Sequence, residues 1–266
     1  MKTWTISNQK GGVGKTTTVV TLAGLLSAKG KRVLCIDLDP QGSLTSYFRL
    51  DPDTIGNSVY NLFKDSSERR ELEPKKYIRN TQFEGLDLLP ASVALATLDR
   101  QASKFKGLGL VISNVLQKLK SSYDVVLIDS PPMLGVSMIN ALAACDHLII
   151  PVQTEFLALK GLERMIKTLG MIQKTRHQPL EYTIVPTMFD KRTRASISSL
   201  NSLRNQYRGS LWRGYISVDT QLREASRVGV PAPILAPKSR AVVAYSKLLT
   251  ALMSHKAKLT LVSNDG

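Results

Sequence analysis

The stretch 7-SNQKGGVGKTTT-18 decides how the chain is read. A short run rich in β-branched residues, 3-TWTIS-7, leads into it, and a segment with helical spacing, 15–29, leads out. Strand, glycine-rich turn and helix in that order make a phosphate cradle. Gly11, Gly12 and Gly14 permit backbone approaches that a side chain would block. The N–H groups of the turn and of the helix N-terminus then point at an anion. Lys15 stands where it can reach β- and γ-phosphates, and Thr16 where its hydroxyl can ligate Mg²⁺. The stretch departs from the usual spacing G-x-x-x-x-G-K-[ST], because Gln9 holds the position of the first glycine. It also carries a second lysine, Lys10, just ahead of the glycines.

Two further segments extend the pattern. In 124-DVVLIDSPP-132 an apolar run ends at Asp129, a carboxylate able to hold a magnesium hydration shell from a neighbouring strand. In 32-RVLCIDLDPQGS-43 two carboxylates, Asp37 and Asp39, leave the end of a second strand. Their equal parity puts both on one side of an extended chain, one toward the metal region and one free to orient or activate water. Three such elements in order, each at the C-terminal end of a strand, read as a nucleotide site.

Further short runs, 86-LDLLP-90, 147-HLIIPV-152 and 182-YTIVPT-187, are also apolar almost throughout, as strands covered on both faces are. Helical spacing fills 15–29, 108–120, 135–144, 156–175 and 195–208. The alternation predicts an α/β fold with a doubly wound, mostly parallel β-sheet flanked by helices. The polar stretch 51–84, with Pro52 and Pro74, predicts an excursion with short helices between the second and third strands. The segment 241-AVVAYSKLLTALMSHKAKL-259 predicts a last helix with a polar tail after it. One domain over 1–258 and a tail over 259–266 are expected.

The chain of 266 residues has 36 Lys and Arg against 21 Asp and Glu, a formal net charge of +15. Such an excess points to a polyanionic partner, nucleic acid or an anionic membrane surface. Cys35 and Cys145, each inside an apolar run, fit neither a disulfide framework nor a zinc site and suit a reducing cytosol. The start runs straight into a strand without a signal-peptide pattern, and no apolar run approaches the roughly 20 residues that span a bilayer. A cytoplasmic protein is expected.

Taken together, 8-NQKGGVGKTTT-18, 36-IDLDPQGS-43, 126-VLIDSPP-132, 151-PVQTEFLALKGL-162, 186-PTMFDKRTRAS-196 and 237-PKSR-240 resemble the ParA/MinD family of deviant Walker-motif, SIMIBI-class P-loop ATPases. The ParA branch fits better, through the DPQGS, TMFD–KRTR and PKSR blocks. The resemblance implies a slow Mg²⁺-dependent ATPase that forms a homodimer when ATP is bound. It implies that Lys10 reaches the partner's nucleotide, that Lys15 serves the phosphates of its own subunit and that Asp39 positions the attacking water. Asp37 is then a magnesium-side or switch carboxylate, Thr16 a metal ligand and Asp129 the Walker-B acid. Gly11, Gly12, Val13, Gly14, Lys15, Thr16 and Thr17 would hold the phosphates, with Met188 and Asp190 near adenine.

The family's non-specific DNA binding uses arginines in the corresponding C-terminal half. Arg192 matches one such position, with Arg194 beside it, and the other falls at Gln221. Arg223 and Arg227 lie nearby and could replace the missing arginine. DNA contact of this kind is to phosphates and independent of sequence. The resemblance also implies a partner protein that stimulates hydrolysis or couples cargo, and a place on the nucleoid or at a cell pole. The block 219-DTQLREAS-226 with 237-PKSR-240 resembles ParA-like proteins of the ParC type, which position chemotaxis arrays.

Two other classes stay open. A MinD-like regulator of cell division or flagellar placement would bind membrane through its last helix. Here Val243, Leu248, Leu249, Leu252 and Met253 are expected to pack on the core instead. A metabolic P-loop enzyme of the dethiobiotin-synthetase or nitrogenase-reductase kind is the other. In the latter case Cys35 and Cys145 would have to ligate a cluster, a role their positions do not suit.

Overall fold

The structure, a computed structural model, describes residues 1–101, 108–174 and 178–262. β1 (Lys2–Ile6) feeds the glycine-rich turn and α1 (Lys15–Ser27), and β2 (Val33–Asp37) follows. Two short helices, α2 (Ser43–Tyr47) and α3 (Val59–Ser67), precede β3 (Arg79–Asn80) and β4 (Leu86–Leu89). α4 (Leu98–Gln101) and α5 (Val111–Lys118) lead to β5 (Val125–Asp129), and α6 (Val136–Ala144) leads to β6 (His147–Gln153). Then come α7 (Phe156–Gln173), β7 (Glu181–Thr187) and α8 (Arg194–Gln206). The described chain closes with α9 (Thr220–Val228), α10 (Ala232–Leu235) and α11 (Arg240–Val262).

The strands form one sheet in the order β3-β4-β2-β5-β1-β6-β7, parallel except for the β3–β4 pair. Strand parity explains why the runs are apolar throughout. In β2, Val33 and Cys35 face the layer built from α1 and α11, while Leu34 and Ile36 face the layer containing α3 and α5. In β5, Val125 and Leu127 face the first layer, and Val126 and Ile128 the second. β6 and β7 pack against α6, α7 and α8. α1 is the innermost helix, with Val19, Val20, Leu22, Ala23 and Leu26 all buried.

Three local features differ from what the sequence predicts. β3 is a two-residue antiparallel edge strand, too short to leave a periodic signal. The block at 219–226 is helical, as α9, because Asp219 caps it by accepting from the Gln221 N–H and Gly229 ends it at φ 72°. The last helix also runs to Val262 rather than stopping at 259, so the expected tail begins in helix; residues 263–266 lie outside the described ones. Nothing between 259 and 262 breaks a helix, since that stretch reads Leu-Thr-Leu-Val.

On α11, Leu248, Leu249 and Leu252 are buried against the α1 side of the sheet, and Val243 and Met253 are exposed. The greater part of the apolar stripe is therefore spent on the core. Among the described residues no helix is long and apolar enough to cross a membrane.

The close seat of α1 depends on Gly24. A Cβ there would stand 2.8 Å from Cβ of Pro231, just ahead of α10. Gly24→Val forces that contact and regains only about a few tenths of a kcal/mol in helix propensity, so about 1–3 kcal/mol of stability is expected to be lost in urea unfolding. A loss below about 0.5 kcal/mol would contradict the close approach.

Candidate functional site: a phosphate loop between two buried carboxylates

The site grows from three adjacent strand ends. β1 pairs with β5 so that Ile6 lies opposite Asp129, and β5 pairs with β2 so that Asp129 lies opposite Asp37. The phosphate loop therefore leaves the sheet beside Asp129, with Asp37 one strand further on. The loop is fixed from several sides. Asn8 donates to the Pro151 carbonyl at 2.8 Å and accepts from the Lys10 N–H at 3.0 Å. Gln9, where the usual motif has glycine, donates to the Thr168 hydroxyl on α7 at 2.8 Å. The Thr187 hydroxyl, at the end of β7, donates to the Val13 carbonyl at 2.9 Å. Gly12 and Gly14 take φ of 72° and 92°, which L side chains seldom adopt.

Thr16, in the first turn of α1, donates its hydroxyl to Oδ2 of Asp129 at 2.6 Å. The other oxygen of Asp129 is buried and has no hydrogen-bond partner among the described residues. A hydroxyl and an orphaned carboxylate oxygen beside a phosphate cradle are hard oxygen donors, and Mg²⁺ with its bound waters fits them. Thr16 and Asp129 would hold the ion. Asp37 is occupied differently: the Thr45 N–H and hydroxyl donate to Oδ2 at 2.8 and 2.7 Å, and the Asp39 N–H to Oδ1 at 3.1 Å. It thus fastens the loop that carries Asp39 and places the start of α2. Asp39 is half-buried and accepts from the Gln41 N–H at 3.0 Å.

Burial raises both buried carboxyls above the ordinary aspartate range, and their mutual repulsion adds to the shift at Asp129. The Thr16 hydrogen bond and the Lys15 charge work against this at Asp129, but burial outweighs them.

Lys10 does not stand free. Its ammonium pairs with Glu155, which immediately precedes α7, and its stem passes close to Gly161. Beside it Met133, Leu134, Phe156 and Leu157 are exposed. Glu155 was not singled out by sequence reasoning, although it lies inside the quoted block 151–162.

A cavity of about 430 Å³ opens from Gly14 and Thr17. Thr187 and Met188 from the end of β7 form one wall, and Leu222, Arg223 and Ser226 of α9 form another. A nucleotide whose phosphates sat in the loop would have this space for its nucleoside. Met188 thus lines it, held at φ 51°. Asp190 lies apart from it, with its carboxylate gripped by Arg192: Nε to Oδ1 at 2.9 Å and Nη2 to Oδ2 at 2.6 Å. That pairing holds Asp190 down to about 2.

The expected DNA arginines separate into groups. Arg192 and Arg194 are exposed at the entry to α8, and Arg227 is exposed on α9 and paired with Glu224 at 2.5 Å. Arg223 belongs to the cavity wall.

Parallel strands with helices on both faces, the glycine loop entering α1 and the buried acid beside it define a P-loop ATPase. The chain matches the AAA domain family over residues 1–182. It is 35% identical over 244 residues to the sporulation initiation inhibitor protein Soj of Bacillus subtilis, covering 91% of this chain and 94% of Soj. It is 31% identical over 249 residues to the chromosome partitioning protein ParA of Myxococcus xanthus, covering 93% of this chain and 86% of that one. Among solved structures, the cobyrinic acid a,c-diamide synthase of Mycobacterium smegmatis with bound ADP and magnesium superposes with a TM-score of 0.82 at 32% identity, covering 96% of this chain and 95% of that one. The chain belongs to the Soj/ParA family of P-loop ATPases. It is a ParA-like positioning ATPase, and its cofactors are ATP and Mg²⁺.

The raised carboxyls set a pH dependence. Protons stay on the folded pair where the unfolded chain has already lost them. Stability from this source is present below about pH 4, the unfolded value. It is lost as the pH rises toward about 8, where Asp129 ionises in the folded chain. Asp129→Asn is therefore expected to raise the melting temperature of the nucleotide-free protein at pH 8, by at least the roughly 2–4 °C that 1 kcal/mol gives in a chain of this size. At pH 5, about one unit above the unfolded value, the rise should be smaller, and the gain expected of wild type on adding Mg²⁺ with ATP should vanish. Calorimetric scans at both pH values check this, and an equal shift at both would contradict it.

Proposed function

We propose that the chain is an ATP-dependent dimerising switch that binds DNA without sequence preference and releases it on slow, partner-stimulated hydrolysis. The observation that carries the reading is the second cation, Lys10, at a loop whose own phosphate lysine is already present. Lys15 is buried in the first turn of α1, while Lys10 is held at the surface by Glu155 beside exposed apolar side chains. Two copies meeting through that face would bury Met133, Leu134, Phe156 and Leu157 and exchange each Glu155 pairing for the partner's nucleotide.

In the assembled site, Lys15 and the loop N–H groups of Gly11, Gly12, Val13, Gly14, Thr16 and Thr17 bind the phosphates. Asp39 orients the attacking water, and Lys10 of the facing copy offsets charge on the transferred phosphoryl group. Thr16 and Asp129 would hold Mg²⁺, which would supply positive charge against that developing on the phosphoryl group. Hydrolysis then waits on dimerisation. The DNA face is assigned to Arg192, Arg194 and Arg227. The Arg192–Asp190 and Arg227–Glu224 pairs are exposed, so each guanidinium can be traded to a phosphate. Cargo is a chromosome, plasmid or polar array, and a separate protein stimulates release. The protein works in the cytoplasm, on the nucleoid or at a pole.

Two outcomes are expected. Asp39→Ala leaves ATP bound but unhydrolysed, so light scattering with Mg²⁺ and ATP should report a persistent dimer. A variant that stays monomeric would contradict the role given to Asp39. Charge reversal at Arg192, Arg194 and Arg227 together should abolish retention on DNA while dimerisation survives. In the wild type, DNA affinity should fall by orders of magnitude between 50 and 200 mM salt, on the order of 10³-fold for several phosphate contacts. Unchanged DNA retention by the triple variant would place the anion surface elsewhere.

A further inference from the structure

The cavity beside Gly14 and Thr17 carries two charged side chains on its wall, Asp219 and Arg223. Asp219 is spent on backbone. One oxygen accepts from the Gln221 N–H at 3.0 Å, capping α9, and the other accepts from the Ala241 N–H at 3.0 Å, near the start of α11. Neither oxygen is directed to a ligand. Arg223 makes no hydrogen bond or ion pair among the described residues, although Glu224 is adjacent in sequence, because Glu224 is taken up by Arg227. The remaining wall opposite the loop is largely apolar, with Met188, Ile216, Val218 and Leu222. An apolar slot with one unpaired guanidinium at its edge suits a flat heteroaromatic ring.

We propose that Arg223 is a nucleoside-binding residue, its guanidinium closing the cavity over the base. The inference rests on the reading that residues 11–17 hold the phosphates. A guanidinium is planar, always charged and rich in donors, so it stacks on a π-face and donates to ring nitrogens. A lysine ammonium is a point charge and cannot reproduce the plane.

The contact also has a mechanical consequence. α9 is tied at its N-terminal end to α11 through Asp219. Just beyond its C-terminal end, the Tyr47 hydroxyl donates to the Val230 carbonyl at 3.0 Å, and Arg49 donates to the Arg227 carbonyl. Tyr47 ends α2, and Thr45 of that helix donates to Asp37. A base held under Arg223 fixes the middle of a helix whose two ends are already fastened.

Titration calorimetry with Mg²⁺ and either ADP or pyrophosphate tests this, since ADP carries the nucleoside and pyrophosphate does not. Arg223→Ala is expected to weaken ADP about tenfold, within the range of a desolvated cation–π contact, and to leave pyrophosphate affinity unchanged. Unchanged pyrophosphate binding also shows that the variant is folded. Arg223→Lys is expected to recover only part of the ADP affinity. Wild-type ADP binding by Arg223→Ala would overturn the proposal, as would an equal loss of ADP and pyrophosphate or full rescue by lysine. Lys15→Ala provides the separate check on the phosphate loop. It should lose both ligands, and if it kept both, the loop assignment would fail whatever Arg223 does.

Discussion

The hydrogen bond from Thr16 to Asp129 joins the first turn of α1 to the strand next to β1, and the rest of the site is arranged around it. It ties the helix that follows the phosphate loop to the end of a neighbouring central strand, so loop and acid cannot move apart without losing that bond. It also leaves one carboxylate oxygen buried and unpaired, a cost that only a cation or a proton can remove. With Asp37 opposite in register, two buried acids share one sheet edge. Burial keeps a proton on that carboxyl up to high pH, and Mg²⁺ with nucleotide would take the proton's place.

The second acid has a different task. Asp37 holds Thr45 by two hydrogen bonds, and the Thr45 hydroxyl in turn accepts from the Ala91 N–H at 2.9 Å. α2 is thereby fixed between β2 and the segment after β4, and its last residue reaches across to the end of α9. α9 in turn walls the nucleoside cavity. If residues 11–17 hold the phosphates and Arg223 the base, as proposed, two routes would run from the nucleotide to α9, one through the phosphates and the acids, the other through the base.

The sequence revealed most of this where function depends on local order. Strand, glycine turn and helix are contiguous, so the loop was legible, and so were Asp37 and Asp129 as acids at strand ends. The doubly wound sheet followed from apolar runs alternating with helical spacing. Contacts between distant segments were not legible. Lys10 and Glu155 are 145 residues apart, and only the packing of α7 beside the loop brings them together. Arg223 and Arg227 are one helical turn apart and look equivalent as sequence, yet one borders the cavity and the other pairs outward. Asp190 was placed near adenine by its position after β7, but the adjacent Arg192 captures its carboxylate. Gln9, which departs from the usual motif, anchors the loop onto α7.

The central claim is that Lys10 completes the active site of a facing copy. The most direct test mixes two variants that are each expected to be inactive, Lys10→Ala and Asp39→Ala, and measures ATP hydrolysis. In a mixed dimer the Lys10→Ala copy keeps its own Asp39 and receives Lys10 from its partner, so one complete site forms. Hydrolysis by the mixture, absent from either variant alone, is the expected result. A mixture as inactive as its components, although light scattering shows that mixed dimers form, would contradict it.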